Sequence, residues 1–348
     1  MKAFTFQGIR QAALEDIAEP SIQEPGDAIV KVERAALCGS DMHIYHGRET
    51  GLDRGTVMGH EFTGRVAEIG KGVQRFSEGD PVISPFTVNC GSCDYCREGL
   101  TARCRSSRLF GWVEDGEGLH GAHAEYVRVP MADATLLAKP GELSWEQAVL
   151  MGDNLPTGWF CAEMAEIGPG DSCAVVGCGP IGLMCVMAAQ FRGAEKIFAL
   201  DAIPLRLEKA RELGAVPVDI READHRDRLR EACGGRGVGK VLEAVGSRDS
   251  MRDAFELLRP GGILATVGVQ AYGALPFKPP EIYDKNLTLK AGRCSARRYA
   301  EELLSQAAAG AFPLESVITH TIPLNDALEA YRLFDTEKGA CIKVLLQP

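Results

Sequence analysis

The spacing of hydrophobic and polar residues changes near residue 154 and divides the chain into two kinds of sequence. Before that point, short alternating apolar runs at 28–32, 64–69 and 80–83 are separated by glycine and proline. Alternation with a period of two between turn residues is typical of short strands in a β-rich domain. The residues up to 153 are therefore expected to form such a domain.

Beyond residue 154, apolar strands alternate with amphipathic helices. Strands are predicted at 173–176, 196–200, 217–220, 240–244 and 263–267, and helices at 181–192, 204–213, 224–233 and 251–258. Such alternation favours a parallel sheet with helices on both faces, which is an α/β fold. A closing strand is expected at 287–291, and a helix at 298–309, a strand at 317–322, a helix at 325–335 and a strand at 341–346 complete the chain.

Size and charge narrow the classes of protein. The 348 residues exceed the size of about 250–300 at which single cores split, so two domains are expected. A net charge of -10 argues against nucleic acid and anionic membranes as partners. The start of the chain has no signal-peptide pattern, so a cytoplasmic protein is expected. The uncharged stretch 172–191 contains glycines and a proline, which favours strand-turn-helix over a membrane span.

A glycine motif lies where a predicted strand turns into a helix, in Gly177-Cys178-Gly179-Pro180-Ile181-Gly182. In this context it predicts a dinucleotide site, with Gly177 in the tight turn, Gly179 allowing approach of a pyrophosphate and Gly182 allowing close packing. Asp201 ends the next strand and can accept hydrogen bonds from ribose hydroxyls, which favours NAD over NADP. Arg206 is the nearest cation, so some NADP use is left open.

Four cysteines, Cys90, Cys93, Cys96 and Cys104, stand within one short stretch. Zinc held by four thiolates is the favoured interpretation. An iron–sulfur cluster is the second, although the fourth cysteine does not follow the ferredoxin spacing. Disulfides are the third, and the expected compartment disfavours them.

A second metal is suggested by Cys38 and by the run Gly59-His60-Glu61, with Asp153 as the proposed third ligand. Thiolate, imidazole and carboxylate around Zn²⁺ sum to zero formal charge and leave the metal acidic enough to lower the pKa of a bound hydroxyl. The sequence therefore predicts two zinc ions with different tasks.

These motifs together resemble the zinc-dependent medium-chain alcohol dehydrogenases over essentially the whole chain. The resemblance implies a GroES-like β-rich catalytic domain at 1–153 with a structural zinc lobe at about 88–106. It further implies a Rossmann coenzyme domain with a doubly wound parallel sheet at 154–290, and a return to the catalytic domain at 291–348. Two Zn²⁺ per chain are expected: a catalytic zinc on Cys38, His60 and Asp153, and a structural zinc on the four clustered cysteines.

The resemblance also implies a reaction, the transfer of hydride between a primary or secondary alcohol and NAD. The zinc-bound alkoxide gives hydride to NAD, and Ser40 passes the proton through the nicotinamide ribose to His43. A helix cap for Ser40 and an exposed loop position for His43 are the alternatives. Glu61 is kept as an auxiliary residue near the metal. Family positions that bind the coenzyme match Thr157, Val269 and Lys343, the last at the pyrophosphate.

The substrate is the least defined part of the prediction. Phe86 and Trp112 are expected to line an apolar pocket, and a role as plain core residues is equally open. His120 and His123 are interpreted as structural or surface residues. A polyol, threonine or formaldehyde-type dehydrogenase on the same scaffold is one alternative, and a non-enzymatic dinucleotide-binding protein is a less favoured one. The family likeness implies a homodimer or homotetramer that acts on small alcohols, aldehydes or ketones.

Overall fold

The computed structural model describes all 348 residues. The chain divides into two compact units. Unit 1 comprises Met1–Pro156 and Ser295–Pro348, and unit 2 comprises Thr157–Cys294. The boundaries predicted from the sequence, after residues 153 and 290, lie three and four residues before those of the two units.

Strands and helices cover most of both units. The strands are β1 (Lys2–Gly8), β2 (Gln11–Asp16), β3 (Ala28–Ala36), β4 (Glu61–Ile69), β5 (Pro81–Ser84), β6 (Trp112–Glu114), β7 (Glu117–Leu119), β8 (Tyr126–Val129), β9 (Leu137–Ala138), β10 (Ser172–Val176), β11 (Lys196–Asp201), β12 (Val216–Asp219), β13 (Val238–Glu243), β14 (Leu258–Thr266), β15 (Thr288–Ala291), β16 (Ile318–Pro323) and β17 (Lys343–Gln347). The helices are α1 (Gly39–Tyr45), α2 (Asp94–Arg97), α3 (Ala132–Thr135), α4 (Trp145–Leu150), α5 (Asn154–Met164), α6 (Pro180–Phe191), α7 (Pro204–Glu212), α8 (His225–Ala232), α9 (Arg248–Leu257), α10 (Pro279–Lys285), α11 (Ala296–Ala308) and α12 (Ala327–Thr336).

Unit 1 is built around a seven-stranded sheet in the order β16-β17-β3-β4-β5-β9, with β8 also paired to β3. Its central pair, β3 and β4, is antiparallel and runs from Ala28 opposite Ile69 to Ala36 opposite Glu61. Most of its buried apolar side chains form a core that includes Phe4, Phe62 and Tyr331. The β-rich character predicted for this part of the chain is confirmed.

Unit 2 contains six parallel strands in the order β12-β11-β10-β13-β14-β15. Strand β10, the first of this sheet in the sequence, lies near its centre. Strands β11 and β12 follow on one side of β10, and β13, β14 and β15 follow on the other side. Because parallel crossovers are right-handed, this reversal places helices on both faces of the sheet. Strand β11 is buried along nearly its whole length, as a sheet covered on both faces requires. The predicted doubly wound sheet is confirmed.

Helix α5 was not expected from the sequence. Most of its residues are buried, so it shows no 3.6-residue alternation of apolar and polar positions. No helix combines the length and low polarity that crossing a bilayer requires.

Close packing of β3 on β4 depends on Gly64. A Cβ at this position would lie 2.0 Å from the carbonyl oxygen of Lys31. We therefore expect Gly64→Ala to lower the free energy of unfolding by about 2–3 kcal/mol, because backbone atoms have to move. Urea denaturation measures this, and Gly141→Ala is the matched control, since nothing lies within 4 Å of its Cβ position. Equal stabilities of the two variants would contradict the prediction.

Candidate functional site

Four side chains that can bind a metal converge in unit 1 from separate loops. Cys38 is the N-cap of α1, His60 immediately precedes β4 and Glu61 begins it, and Asp153 directly precedes α5. One ligand atom from each of the four lies within 4.8 Å of the others. The structure thus brings together the three predicted ligands, Cys38, His60 and Asp153, with Glu61 beside them.

The donors of this cluster fit a zinc ion. Sulfur, imidazole nitrogen and carboxylate oxygen are the atoms that Zn²⁺ takes in sites with three protein ligands. Nε2 of His60 lies 3.7 Å from Oδ2 of Asp153. Burial and then the charge of Glu61 raise the pKa of the Cys38 thiol, against the opposing effect of His60. Several acidic groups are therefore crowded in a buried place, where a divalent cation would balance their charge.

Asp41 is a functional residue that the sequence interpretation missed. Its Oδ1 lies 3.3 Å from Nδ1 of His60, and its Oδ2 accepts a hydrogen bond of 2.8 Å from the Cys38 N–H. Burial lowers the pKa of His60, but the charge of Asp41 and hydrogen bonds to Asp153 and Asp41 outweigh it, and the pKa is raised well above its usual range. A carboxylate on Nδ1 leaves Nε2 directed towards the other ligands. The signal was present in the sequence, because Asp41 follows Cys38 at capping-box spacing.

Glu61 is held by two partners in the interior of unit 1. Its Oε2 accepts a 2.6 Å bond from the Lys343 ammonium, and its Oε1 accepts a 2.9 Å bond from the Asn154 amide. Lys343 also donates to the Leu37 carbonyl at 2.9 Å, and its side chain is only 1% exposed. The structure therefore gives Lys343 a buried ion pair with Glu61. The pyrophosphate contact expected for Lys343 remains a prediction.

The two residues of the predicted proton relay lie one turn apart on α1. Ser40 Oγ is 3.4 Å from Nε2 of His60, so the hydroxyl lies beside the ligand cluster. His43 is half-buried, its Nδ1 has no hydrogen-bond partner, and burial followed by the charge of Arg48 lowers its pKa. Their relay role remains a prediction.

His123 supports the backbone that carries His60. The ring is buried, with Nδ1 3.0 Å from the Tyr331 hydroxyl and Nε2 3.2 Å from the Ala36 carbonyl. It lies directly against Gly59, where a Cβ would come within 2.2 Å of the ring. Gly59 has a φ of 89°, so both its conformation and this contact favour glycine. His123 is thus a structural residue with a place next to the site.

The four-cysteine cluster forms a second candidate metal centre. The sulfur atoms of Cys90, Cys93, Cys96 and Cys104 lie within 4.8 Å of one another, and all four are free thiols. Backbone N–H groups point at the sulfurs, for example Cys93 N–H at 3.3 Å from Cys90 Sγ and Ser106 N–H at 3.4 Å from Cys104 Sγ. The N–H of Ser92 is the main cause that lowers the pKa of Cys90 to about 6. Sulfurs surrounded by N–H donors fit a closed thiolate zinc site rather than disulfides.

In unit 2 the glycine motif forms the turn between β10 and α6. Gly177 has a φ of 89°, and a Cβ on Gly182 would lie 1.7 Å from the Gly177 carbonyl oxygen. Around Gly179, by contrast, the nearest atom to a Cβ would be Arg206 Nη1 at 3.8 Å. Gly179 is the N-cap of α6, with Pro180 next, so free N–H groups and the positive end of the helix face this open space. The turn therefore fits an anionic pyrophosphate.

Asp201 lies at the end of β11 beside this turn. Its carboxylate accepts hydrogen bonds from the N–H groups of Cys178, Ala202 and Ile203 at 2.8–2.9 Å. Arg206 Nη1 lies 3.7 Å from Asp201 Oδ2, and the Nε of Arg206 is buried without a partner. Asp201 thus fixes the turn, with Arg206 as its neighbouring cation, and its role at the ribose remains a prediction.

The remaining predicted residues are more scattered. Phe86 is buried with its ring edge-on to His60 at 6.3 Å between centroids. Trp112 lies in the β6–β7 hairpin, donates to Glu114 at 3.3 Å and packs against the core of unit 1. In unit 2, Thr157 is buried and Val269 is 39% exposed. Of the two predicted pocket residues, Phe86 is thus the one with a ring contact to a candidate metal ligand, and its pocket role remains a prediction.

Comparison with known proteins agrees with this geometry. Residues 24–140 match the family model described as the alcohol dehydrogenase GroES-like domain, and residues 180–309 match the zinc-binding dehydrogenase model. The chain is 40% identical over 346 residues to "Zinc-type alcohol dehydrogenase B" of Aspergillus flavus, covering 97% of this chain and 79% of that protein. It is 30% identical to a sorbitol dehydrogenase of Bacillus subtilis, covering 100% and 97% of the two chains.

The same fold is found among solved structures. The alcohol dehydrogenase TADH from Thermus sp. ATN1 superposes with a TM-score of 0.93 at 38% identity, covering 100% of this chain and 99% of that one. These relatives are oxidoreductases, so the alternative of a non-enzymatic dinucleotide-binding protein is set aside. The chain belongs to the zinc-dependent medium-chain alcohol dehydrogenase family.

Proposed function

We propose that the chain transfers hydride from a primary or secondary alcohol to NAD, forming the aldehyde or ketone. The proposed reaction also proceeds in the opposite direction, from the aldehyde or ketone and NADH. The convergence of Cys38, His60 and Asp153 on one point is the observation that carries this proposal. The turn at Gly177–Gly182 with Asp201 beside it supports a dinucleotide as the second reactant. Zn²⁺ held by the three ligands would supply the Lewis acidity that lowers the pKa of the substrate hydroxyl.

The protein's own groups hold the ligands and handle the proton. Asp41 fixes the His60 ring through Nδ1, and Lys343 and Asn154 fix the carboxylate of Glu61. Ser40 Oγ is the proposed acceptor of the hydroxyl proton, since it lies next to the cluster, and His43 is the proposed exit. Phe86 places an apolar ring against His60, where it is proposed to help exclude water.

A second zinc on the four-cysteine cluster is proposed to be structural, because four thiolates close its coordination sphere. The free thiols of all twelve cysteines support the reducing cytoplasm as the proposed compartment. An assembly of two or four copies remains the expectation drawn from the family.

A polyol is the second candidate substrate, since one relative is named a sorbitol dehydrogenase. The ring of Phe86 beside His60 favours an apolar alcohol instead. Values of kcat/KM for sorbitol, threonine and simple secondary alcohols separate these substrate classes. A higher kcat/KM for sorbitol or threonine than for the simple alcohols would show that the proposed class, apolar alcohols, is wrong.

Metal content tests the two-zinc proposal directly. The purified protein is expected to hold about two zinc ions per chain, and Cys38→Ser about one, because the cysteine cluster is unaffected. Alcohol oxidation by Cys38→Ser should fall at least about 100-fold in kcat/KM. Cys233→Ser, which changes a thiol outside both clusters, is the control and should match the parent protein. Full activity in Cys38→Ser would refute the catalytic assignment.

Asp41 is expected to control zinc affinity through His60. Asp41→Asn keeps the size of the side chain and removes its charge, so zinc should bind about 10–100-fold more weakly. Competition with a chromogenic chelator measures this affinity. Asp335→Asn is the matched control, because Asp335 also pairs with a histidine, His46, at 2.8 Å. An unchanged zinc affinity in Asp41→Asn would exclude the role.

Coenzyme preference is expected to depend on the charge of Asp201. The parent protein should prefer NAD to NADP, because this carboxylate repels a 2′-phosphate. Asp201→Asn removes the charge while retaining an acceptor for the turn, so the ratio of kcat/KM for NADP to that for NAD should rise about tenfold. Glu208→Gln, on the exposed surface of α7, is a control for general loss of negative charge. A ratio unaffected by Asp201→Asn would contradict the assignment.

A further inference from the structure

The carboxyl end of β13 carries a buried acidic residue that the proposed reaction does not use. Glu243 is 0% exposed. Its Oε1 accepts hydrogen bonds from the Val245 N–H at 2.9 Å, the Gly246 N–H at 2.8 Å and the Ser250 hydroxyl at 2.7 Å. Its Oε2 accepts from the Thr266 hydroxyl at 2.6 Å and the Gln270 amide at 3.3 Å. Donors therefore surround both oxygens of a group that can only accept when it is ionised.

These donors come from two segments of the chain: the loop after β13 together with the first turn of α9, and the end of β14 together with the turn after it. The backbones of the two segments touch. A Cβ on Gly246 would lie 2.3 Å from the Val269 carbonyl oxygen, and one on Gly268 would lie 2.2 Å from the Gly246 nitrogen. Glu243 thus ties two loops that pack without intervening side chains.

The first of these loops also reaches the glycine motif. Strands β10 and β13 are neighbours, with Val176 opposite Glu243, at the point where the strand order reverses. Ligands of doubly wound sheets bind at this reversal, outside the carboxyl ends of the strands. Val245 lies directly on Gly177, since its Cγ2 would be 2.2 Å from a Cβ there. Val245 and Val269 are 45% and 39% exposed, so two apolar side chains remain open at this edge.

We propose that Glu243 is a positioning residue for the dinucleotide. Its carboxylate fixes the Val245–Gly246 backbone, and this backbone presses Val245 against Gly177 and so sets the shape of the pyrophosphate turn. This inference rests on the proposed function, because it takes the dinucleotide to bind at that turn. A merely structural carboxylate would contribute to the stability of unit 2 without changing the affinity of the folded protein for the coenzyme.

The test is the affinity of zinc-loaded Glu243→Gln for NADH and for ADP-ribose, measured by calorimetry. The substitution keeps the shape and replaces one accepting oxygen by an amide donor facing other donors. Both dissociation constants should rise about tenfold, because weakened hydrogen bonds free the loop. ADP-ribose lacks the nicotinamide, so a matching rise assigns the effect to the part of the coenzyme at Gly177. Zinc content should not change.

Asp27→Asn is the matched control. Asp27 is a buried carboxylate of unit 1 that accepts bonds from the N–H groups of Gln23 and Glu24 and from Arg128. The substitution Asp27→Asn should lower the melting temperature and leave the dissociation constants of NADH and ADP-ribose unchanged. Thr266→Val is the second variant, in case Glu243→Gln does not fold. It removes one donor to Oε2 and should raise the dissociation constant of NADH about threefold.

The outcomes separate the two proposals. Unchanged NADH affinity in folded Glu243→Gln, or in Thr266→Val where Glu243→Gln does not fold, overturns the role of Glu243 and leaves the proposed function intact. If the parent protein binds neither NADH nor ADP-ribose, the proposed function fails, and the role of Glu243 fails with it. Weaker binding in the variants with an unchanged control supports the proposal.

Discussion

The ion pair between Lys343 and Glu61 is almost completely withdrawn from water, with side chains 1% and 0% exposed and 2.6 Å between the charged atoms. Removing two charges from water costs several kcal/mol per ion, so each must find additional partners. Lys343 finds the Leu37 carbonyl and Glu61 finds the Asn154 amide. The contacts therefore hold Leu37, Glu61 and Asn154 in position. Each of these residues is the immediate sequence neighbour of one proposed ligand, namely Cys38, His60 and Asp153 respectively. The same ion pair therefore locates the residues adjoining all three proposed zinc ligands.

The dinucleotide turn of unit 2 is organised by a different constraint. Here backbone atoms must lie close to one another and to an anion, and a side chain would be in the way. Gly182 against the Gly177 carbonyl and Gly246 against Gly268 are contacts that no other residue permits without movement. Because such loops have few side-chain contacts of their own, buried carboxylates hold them: Asp201 on one side and Glu243 on the other.

Much of this could be predicted from the sequence, because the information was local. The apolar alternation predicted the parallel sheet of unit 2, and close spacing predicted the cysteine cluster and the glycine turn. What could not be predicted depends on pairs that are distant in the chain. Lys343 and Glu61 are separated by 282 positions, so no periodicity links them, and their ion pair was not expected from the sequence. The role of Glu243 could not be predicted for a similar reason. Two of its partners are 23 and 27 positions further along the chain, at the end of β14 and in the turn after it. The pocket role expected for Trp112 stays a prediction, because its place in a two-stranded hairpin follows from pairing with β7 and not from its position after the cysteine cluster.

The two sites consequently differ in which substitutions they tolerate. In the candidate zinc site the identity and charge of side chains are expected to matter, because the charge of Asp41 orients the His60 ring. In the dinucleotide turn the absence of side chains matters, and the charged residues act by fixing the backbone. A change of one atom from oxygen to nitrogen in Asp41 is therefore expected to weaken metal binding, whereas the same change in Glu243 is expected to alter the shape of a loop. Hydride transfer needs both, since an acidic hydroxyl is useless without a coenzyme held in a defined position.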